Sequence, residues 1–154
     1  MYYGIDLESC TLYNTGYDLR VDDDKGHLAI WDAEGLLQVY DLLQFHFHGP
    51  SEHTIDGKYF DIEMHMVYKS KANPDKLAVV GVFFDREEGG DKENEFIKSL
   101  KIDQIGTNEL SIALKDFIYD LDTTKLYRYE GSLTTPPCSE VVTWQVIYDP
   151  QPIS

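Results

Sequence analysis

Polar and apolar residues alternate with a period of two along much of this chain, the signature of strands that bury one face. Over residues 39–48 the alternation sets Gln44, His46 and His48 on one face and Leu43, Phe45 and Phe47 on the other. Asp56-Gly57 is the expected tight point of the turn that follows. A second strand over about 59–68 then places Asp61, Glu63, His65 and Val67 together, with Ile62, Met64, Met66 and Tyr68 behind them. Residues 77–84 form a nearly continuous apolar run, as expected of a strand covered on both faces. Shorter strands are expected over 17–21, 28–31, 127–135 (running into Pro136-Pro137) and 141–148. Asp91 can cap a helix carrying Phe96, Ile97 and Leu100, and residues 112–119 suit a second short helix. The pattern gives a β-rich α+β domain.

The length of 154 residues suits one domain, 1–154, able to bury a core without help from disulfides. A net charge of -15 argues against nucleic acid, because phosphate binding needs Lys and Arg to displace counterions. The charge suits a neutral substrate or a basic partner, and no apolar run approaches the length of a membrane span. Met1-Tyr2-Tyr3-Gly4 has neither the basic nor the apolar region of a signal peptide, so none is expected. Two cysteines far apart, Cys10 and Cys138, leave the redox compartment open.

The five histidines all precede residue 66. His46 and His48 leave one strand on the same side, and a hairpin through Asp56-Gly57 would bring His65 beside them. Three neutral imidazoles converging on one point form the ligand set of a catalytic zinc whose fourth position stays open. Copper, iron and nickel also accept imidazole, and paired strand histidines can simply be half-exposed polar residues. Gln44 and Glu63 each lie two residues from a ligand on the same face, suitably placed to hold its second ring nitrogen. His27 and His53 are expected in structural or solvent roles. His46-x-His48-x3-Glu52 with Gly57 also resembles the first metal motif of cupins, but no histidine follows His65 to supply the second.

Two longer motifs are more specific. Residues 44–58, Gln-Phe-His-Phe-His-Gly-Pro-Ser-Glu-His-Thr-Ile-Asp-Gly-Lys, followed by Glu63-Met-His-Met-Val67, resemble the zinc-binding core of α-class carbonic anhydrases. Residues 131–144, Gly-Ser-Leu-Thr-Thr-Pro-Pro-Cys-Ser-Glu-Val-Val-Thr-Trp, resemble their second hallmark. The resemblance implies a large twisted, mostly antiparallel central sheet with a few short peripheral helices, here truncated at both ends. It implies zinc on His46, His48 and His65, and reversible hydration of carbon dioxide to bicarbonate by attack of zinc-bound hydroxide. Thr134 would accept the hydroxide's proton in a hydrogen bond while donating its own to Glu52. Val67, Val79, Leu133, Val142 and Trp144, with Thr135, would line the substrate pocket.

The same resemblance places Tyr17 at the position of the family's proton-shuttling histidine, where a phenol titrating near pH 10 serves poorly. Arg20 stands where the family often has a small polar residue, and it would either narrow the cavity or attract bicarbonate. Secreted relatives bridge a cysteine at the Cys138 position to one near the N-terminus, which makes Cys10 the candidate partner. The Cys138 match tilts the expectation toward a secreted, periplasmic or organellar-lumen setting. Expected partners are carbon dioxide and bicarbonate, with a homo-oligomer or larger assembly in view. The alternative to an active enzyme is a catalytically silent scaffold of the same fold.

Overall fold

The alternating segments assemble into one twisted sheet of eleven strands. The computed structural model describes residues 2–4, 10–16, 18–22, 25–86, 93–112 and 114–154. In chain order the strands are β1 (Tyr2–Gly4), β2 (Cys10–Asn14), β3 (Leu19–Asp22), β4 (His27–Trp31), β5 (Leu37–His48) and β6 (Ile62–Ser70). They continue as β7 (Leu77–Asp85), β8 (Gly106–Leu110), β9 (Leu126–Gly131), β10 (Val142–Ile147) and β11 (Gln151–Pro152). Helices α1 (Glu95–Ser99) and α2 (Leu114–Asp120) are short and peripheral. The main order is β8-β2-β3-β5-β6-β7-β10-β9, with β4 bridging β1 and β5. Among the described residues every pairing is antiparallel except those of β10 and β11 with β7, so the expected β-rich α+β class holds.

β7 explains why the apolar run belongs at the centre. Its residues from Ala78 to Asp85 are all buried, and neighbouring side chains feed two separate cores. Val80, Val82 and Phe84 join the larger core with Leu12, Phe45, Met64 and Phe96. Val79 and Phe83 join a smaller one with Phe60, Val67, Val142, Trp144 and Val146. Each fully buried aliphatic or aromatic side chain contributes about 1.5–3 kcal/mol relative to exposure, so the two faces together hold β7 firmly between β6 and β10.

Several boundaries differ from expectation for local reasons. β2 and β8 carry too many polar residues to stand out in the sequence, yet they pair with each other throughout their length. The helix expected after Asp91 starts instead behind Asn94, whose side-chain oxygen accepts from the Ile97 N–H at 3.2 Å, while Asp91 lies outside the described residues. A bulge between Leu42 and Gln44 breaks the alternation, so Leu43 is exposed instead of joining Phe45 in the core. The turn at Asp56-Gly57 is present, with φ of 51° and 79° and a bridge between Ile55 and Lys58. No helix among the described residues is long and apolar enough to cross a membrane.

Candidate metal centre

The sheet register brings the site together. Arg20, His46, His65, Gly81 and Val146 are successive partners across β3, β5, β6, β7 and β10. Two residues along, Asp22, Gln44, Val67, Val79 and Trp144 form the next row on the same face. His48 pairs with Glu63 in the row beyond His46. Period-two geometry thus projects three imidazoles from two adjacent strands toward one place. Their ring centroids are 4.8 Å (His46–His48), 5.3 Å (His46–His65) and 4.6 Å (His48–His65) apart.

One nitrogen of two of these rings is already engaged. The His46 Nδ1–H donates to Gln44 Oε1 at 2.8 Å, and the His65 Nε2–H donates to Glu63 Oε1 at 2.8 Å. Both expected supports therefore meet their histidines. That leaves His46 Nε2 and His65 Nδ1 without these partners, and His48 Nε2 is buried with no hydrogen-bond partner at all. An unpaired nitrogen buried in this way costs free energy unless something accepts its lone pair. One ligand atom from each ring lies within 4.8 Å of those of the other two. The donor set, the orphaned nitrogen and the outer hydrogen bonds together fit a zinc ion.

Burial and the neighbouring rings favour the neutral forms of His46 and His48. Burial, then the nearby His65 and His48 rings and Arg20, push His46 down to about 3. Burial and His65 also lower His48, against the opposing pull of Glu52 and Glu63. Neutral imidazole is the form that binds a metal.

Glu63 anchors the cluster. It is fully buried and accepts the His53 ring Nδ1–H at 2.6 Å and the His53 and Glu52 backbone N–H groups at 2.8 and 2.9 Å, besides His65. Burial alone would raise its pKa, but the hydrogen bonds from His53 and His65 outweigh burial and hold it below the usual carboxylate range. His53 in turn meets the Tyr129 hydroxyl through Nε2. Tyr129, raised by burial and by the Glu63 charge, stays protonated and acts as donor. The structural role expected of His53 is therefore filled inside the site, and Tyr129 was not foreseen. His27 is half-exposed beside Asp41, at 3.5 Å.

Glu52 turns its carboxylate toward the cluster, 3.5 Å from His48 Nδ1 and 3.8 Å from His65 Nδ1. The expected relay from Thr134 is not formed: Thr134 and Thr135 are exposed, and no hydrogen bond among the described residues joins Thr134 to Glu52. Val67, Val79, Val142 and Trp144 share the smaller core, with Leu133 packed against it. Trp144 closes one side, its ring 4.8 Å from both His53 and His65 and stacked on Tyr129 at 6.2 Å. Its indole N–H donates to the Ser132 carbonyl at 3.1 Å. Tyr17 lies outside the described residues.

The expected disulfide is absent. Cys10 is buried on β2 with its thiol 3.5 Å from the Leu110 carbonyl oxygen, whereas Cys138 is exposed in the loop before β10. Pairing of Cys10 with β8 through β2 fixes that thiol in the larger core, which explains the separation.

The family model for eukaryotic-type carbonic anhydrase matches residues 2–154. Alpha carbonic anhydrase 3 of Arabidopsis thaliana is 42% identical over 146 residues, covering 88% of this chain and 48% of that protein. A carbonic anhydrase of Pectobacterium carotovorum is 33% identical over 141 residues, covering 90% and 54%. The solved α-carbonic anhydrase of Thermovibrio ammonificans, in complex with the inhibitor sulfanilamide, superposes with a TM-score of 0.79 at 32% identity. That superposition covers 99% of this chain and 65% of the other. The chain thus spans about half the length of the curated relatives it matches. A match over essentially the whole chain, joined to three convergent imidazoles on its central strands, places this protein in the eukaryotic-type carbonic anhydrase family.

Proposed function

We propose that this chain holds a zinc ion on His46, His48 and His65 and catalyses the reversible hydration of carbon dioxide to bicarbonate and a proton. The observation that carries this reading is the buried His48 Nε2, left with no hydrogen-bond partner between two neighbouring histidines whose other nitrogens are tied to Gln44 and Glu63. When bound, zinc supplies the Lewis acidity that makes water nucleophilic near neutral pH, an effect for which carbonic anhydrase is the general reference case.

The chain's own groups do the remaining work. Gln44 and Glu63 fix the tautomers of His46 and His65, so each ring offers a lone pair in place of a proton. Glu52 sets a carboxylate beside the ligands, where it can accept a proton held on the reacting side. Val67, Val79, Val142 and Trp144 offer an apolar wall to a substrate with no charge to grip, and they exclude water from it. Thr134 sits on the loop bordering that wall, and a swing of its hydroxyl toward Glu52 would orient the attacking oxygen.

The reading is tested by metal content and hydration rate together. The purified chain should bind one zinc and accelerate hydration, and His46→Ala should lose both. Tight zinc binding by the His46→Ala chain would mean that the cluster is not the site.

A further inference from the structure

We infer that Arg20 receives bicarbonate at the edge of the three-histidine cluster, holding the anion beside the metal centre as it arrives or leaves; this rests on the carbon dioxide chemistry proposed above. Arg20 is the register partner of His46, so it stands on the strand next to a ligand and on the same face of the sheet. Directly opposed residues on paired strands have Cβ atoms about 5 Å apart, well within the reach of a guanidinium.

The guanidinium is held in place. Its Nε lies 2.9 Å from Asp22 Oδ1 and its terminal N–H donates to Asp22 Oδ2 at 3.0 Å, while the group sits 5.4 Å from the Tyr13 ring centroid. Asp22 and Tyr13 therefore fix one edge and one face of a planar five-donor fork. Among the described residues no acceptor meets the other terminal N–H groups, and the side chain is 47% exposed. A pre-positioned, half-hydrated pair of N–H donors matches the two oxygens of a carboxylate-like anion.

The need for such a group follows from the charge. A chain with a net charge of -15 repels anions, yet one partner of the reaction is an anion. The positive charge of Arg20 is felt at His46, where it adds to burial, His65 and His48 in keeping that ring neutral. A cation beside the cluster gives bicarbonate a local landing point that apolar carbon dioxide does not use. Arg20 then acts on the anionic side of the reaction.

The test uses the whole chain loaded with cobalt(II), whose visible absorption responds to anions at the metal, with bicarbonate as the probe. Arg20→Gln should weaken bicarbonate about fivefold, the scale of a partly exposed charge contact, with cobalt still bound at one per chain. The double variant Arg20→Gln/Asp22→Asn has the same formal charge as the pair it replaces and should bind as weakly as Arg20→Gln. Equal bicarbonate affinity in the parent and Arg20→Gln overturns the assignment. So does a double variant that binds like the parent, since net charge alone would then suffice. A parent chain that takes up no cobalt removes the underlying reading instead, and it is recognised before any substitution is made.

Discussion

A Cβ placed on Gly81 would lie 3.0 Å from the Glu63 carboxylate oxygen that holds His65. Glycine in the middle of a buried strand is normally unfavourable, so its presence at the position facing His65 needs a reason. The reason is space. The missing side chain opens room for a fully buried carboxylate between β6 and β7, and Val146 at 3.6 Å closes the other side.

Gly81→Ala should therefore push Glu63 off His65. Overpacking of this kind costs about 1–3 kcal/mol, and loosening an outer-sphere partner costs about tenfold in metal affinity. Thermal unfolding and a chelator competition measure the two effects separately. A variant with parental zinc affinity would show that the Glu63 position is not set by this glycine.

Tyr129→Phe keeps the stack on Trp144 but removes the hydroxyl that meets His53. His53 then holds Glu63 less firmly, and zinc should dissociate faster, by about tenfold at most, the lower end of what outer-sphere changes cost. The rate of zinc transfer to a chromogenic chelator reports it. His53→Ala should produce a larger effect in the same direction, because it also removes the Glu63 contact at 2.6 Å.

Stability of the metal-free chain should depend on pH in a definable window. His46 is held at about 3 in the fold against an ordinary 6.5. Below pH of about 6.5 the unfolded chain takes up a proton that the folded one refuses, so stability falls as pH drops toward about 3. His48, lowered in the same direction, adds to the slope. Glu63, held low, adds a further loss at acid pH as its unfolded form protonates first. Urea unfolding of the metal-free chain between pH 7 and 4 should show this decline, and His46→Gln should flatten it. A slope unchanged by that substitution would contradict the burial of a neutral ring.

Much of the site was legible because strand periodicity is simple. Gln44, His46 and His48 share a face for the same reason that Glu63, His65 and Val67 do, and the turn at Asp56-Gly57 brings the two sets together. What was hidden depends on tertiary register. Tyr129 reaches His53 only because β9 pairs with β10 so that Tyr129 faces Trp144, a relation no local pattern carries. The role of Gly81 within the apolar run emerges only from its neighbours on β6, the Glu63–His65 pair. β8 escaped notice because a strand at the sheet edge tolerates polar residues on both faces, and β2 because its buried positions, Cys10, Leu12 and Asn14, include only one large apolar side chain. The Cys10–Cys138 bridge and the Thr134–Glu52 hydrogen bond are not formed in this structure, and they share an origin. Each was inferred from motif resemblance, which places residues in order along a chain without fixing the path between them.

The most direct test of the central claim is stopped-flow carbon dioxide hydration by the zinc-loaded chain, compared with His65→Ala. His65 is 2% exposed and lies at the junction of the three rings and Glu63, so its loss should remove metal and turnover together. Hydration well above buffer in the parent, abolished in His65→Ala, is the result this account predicts. A parent chain that binds one zinc and hydrates no faster than buffer would contradict it.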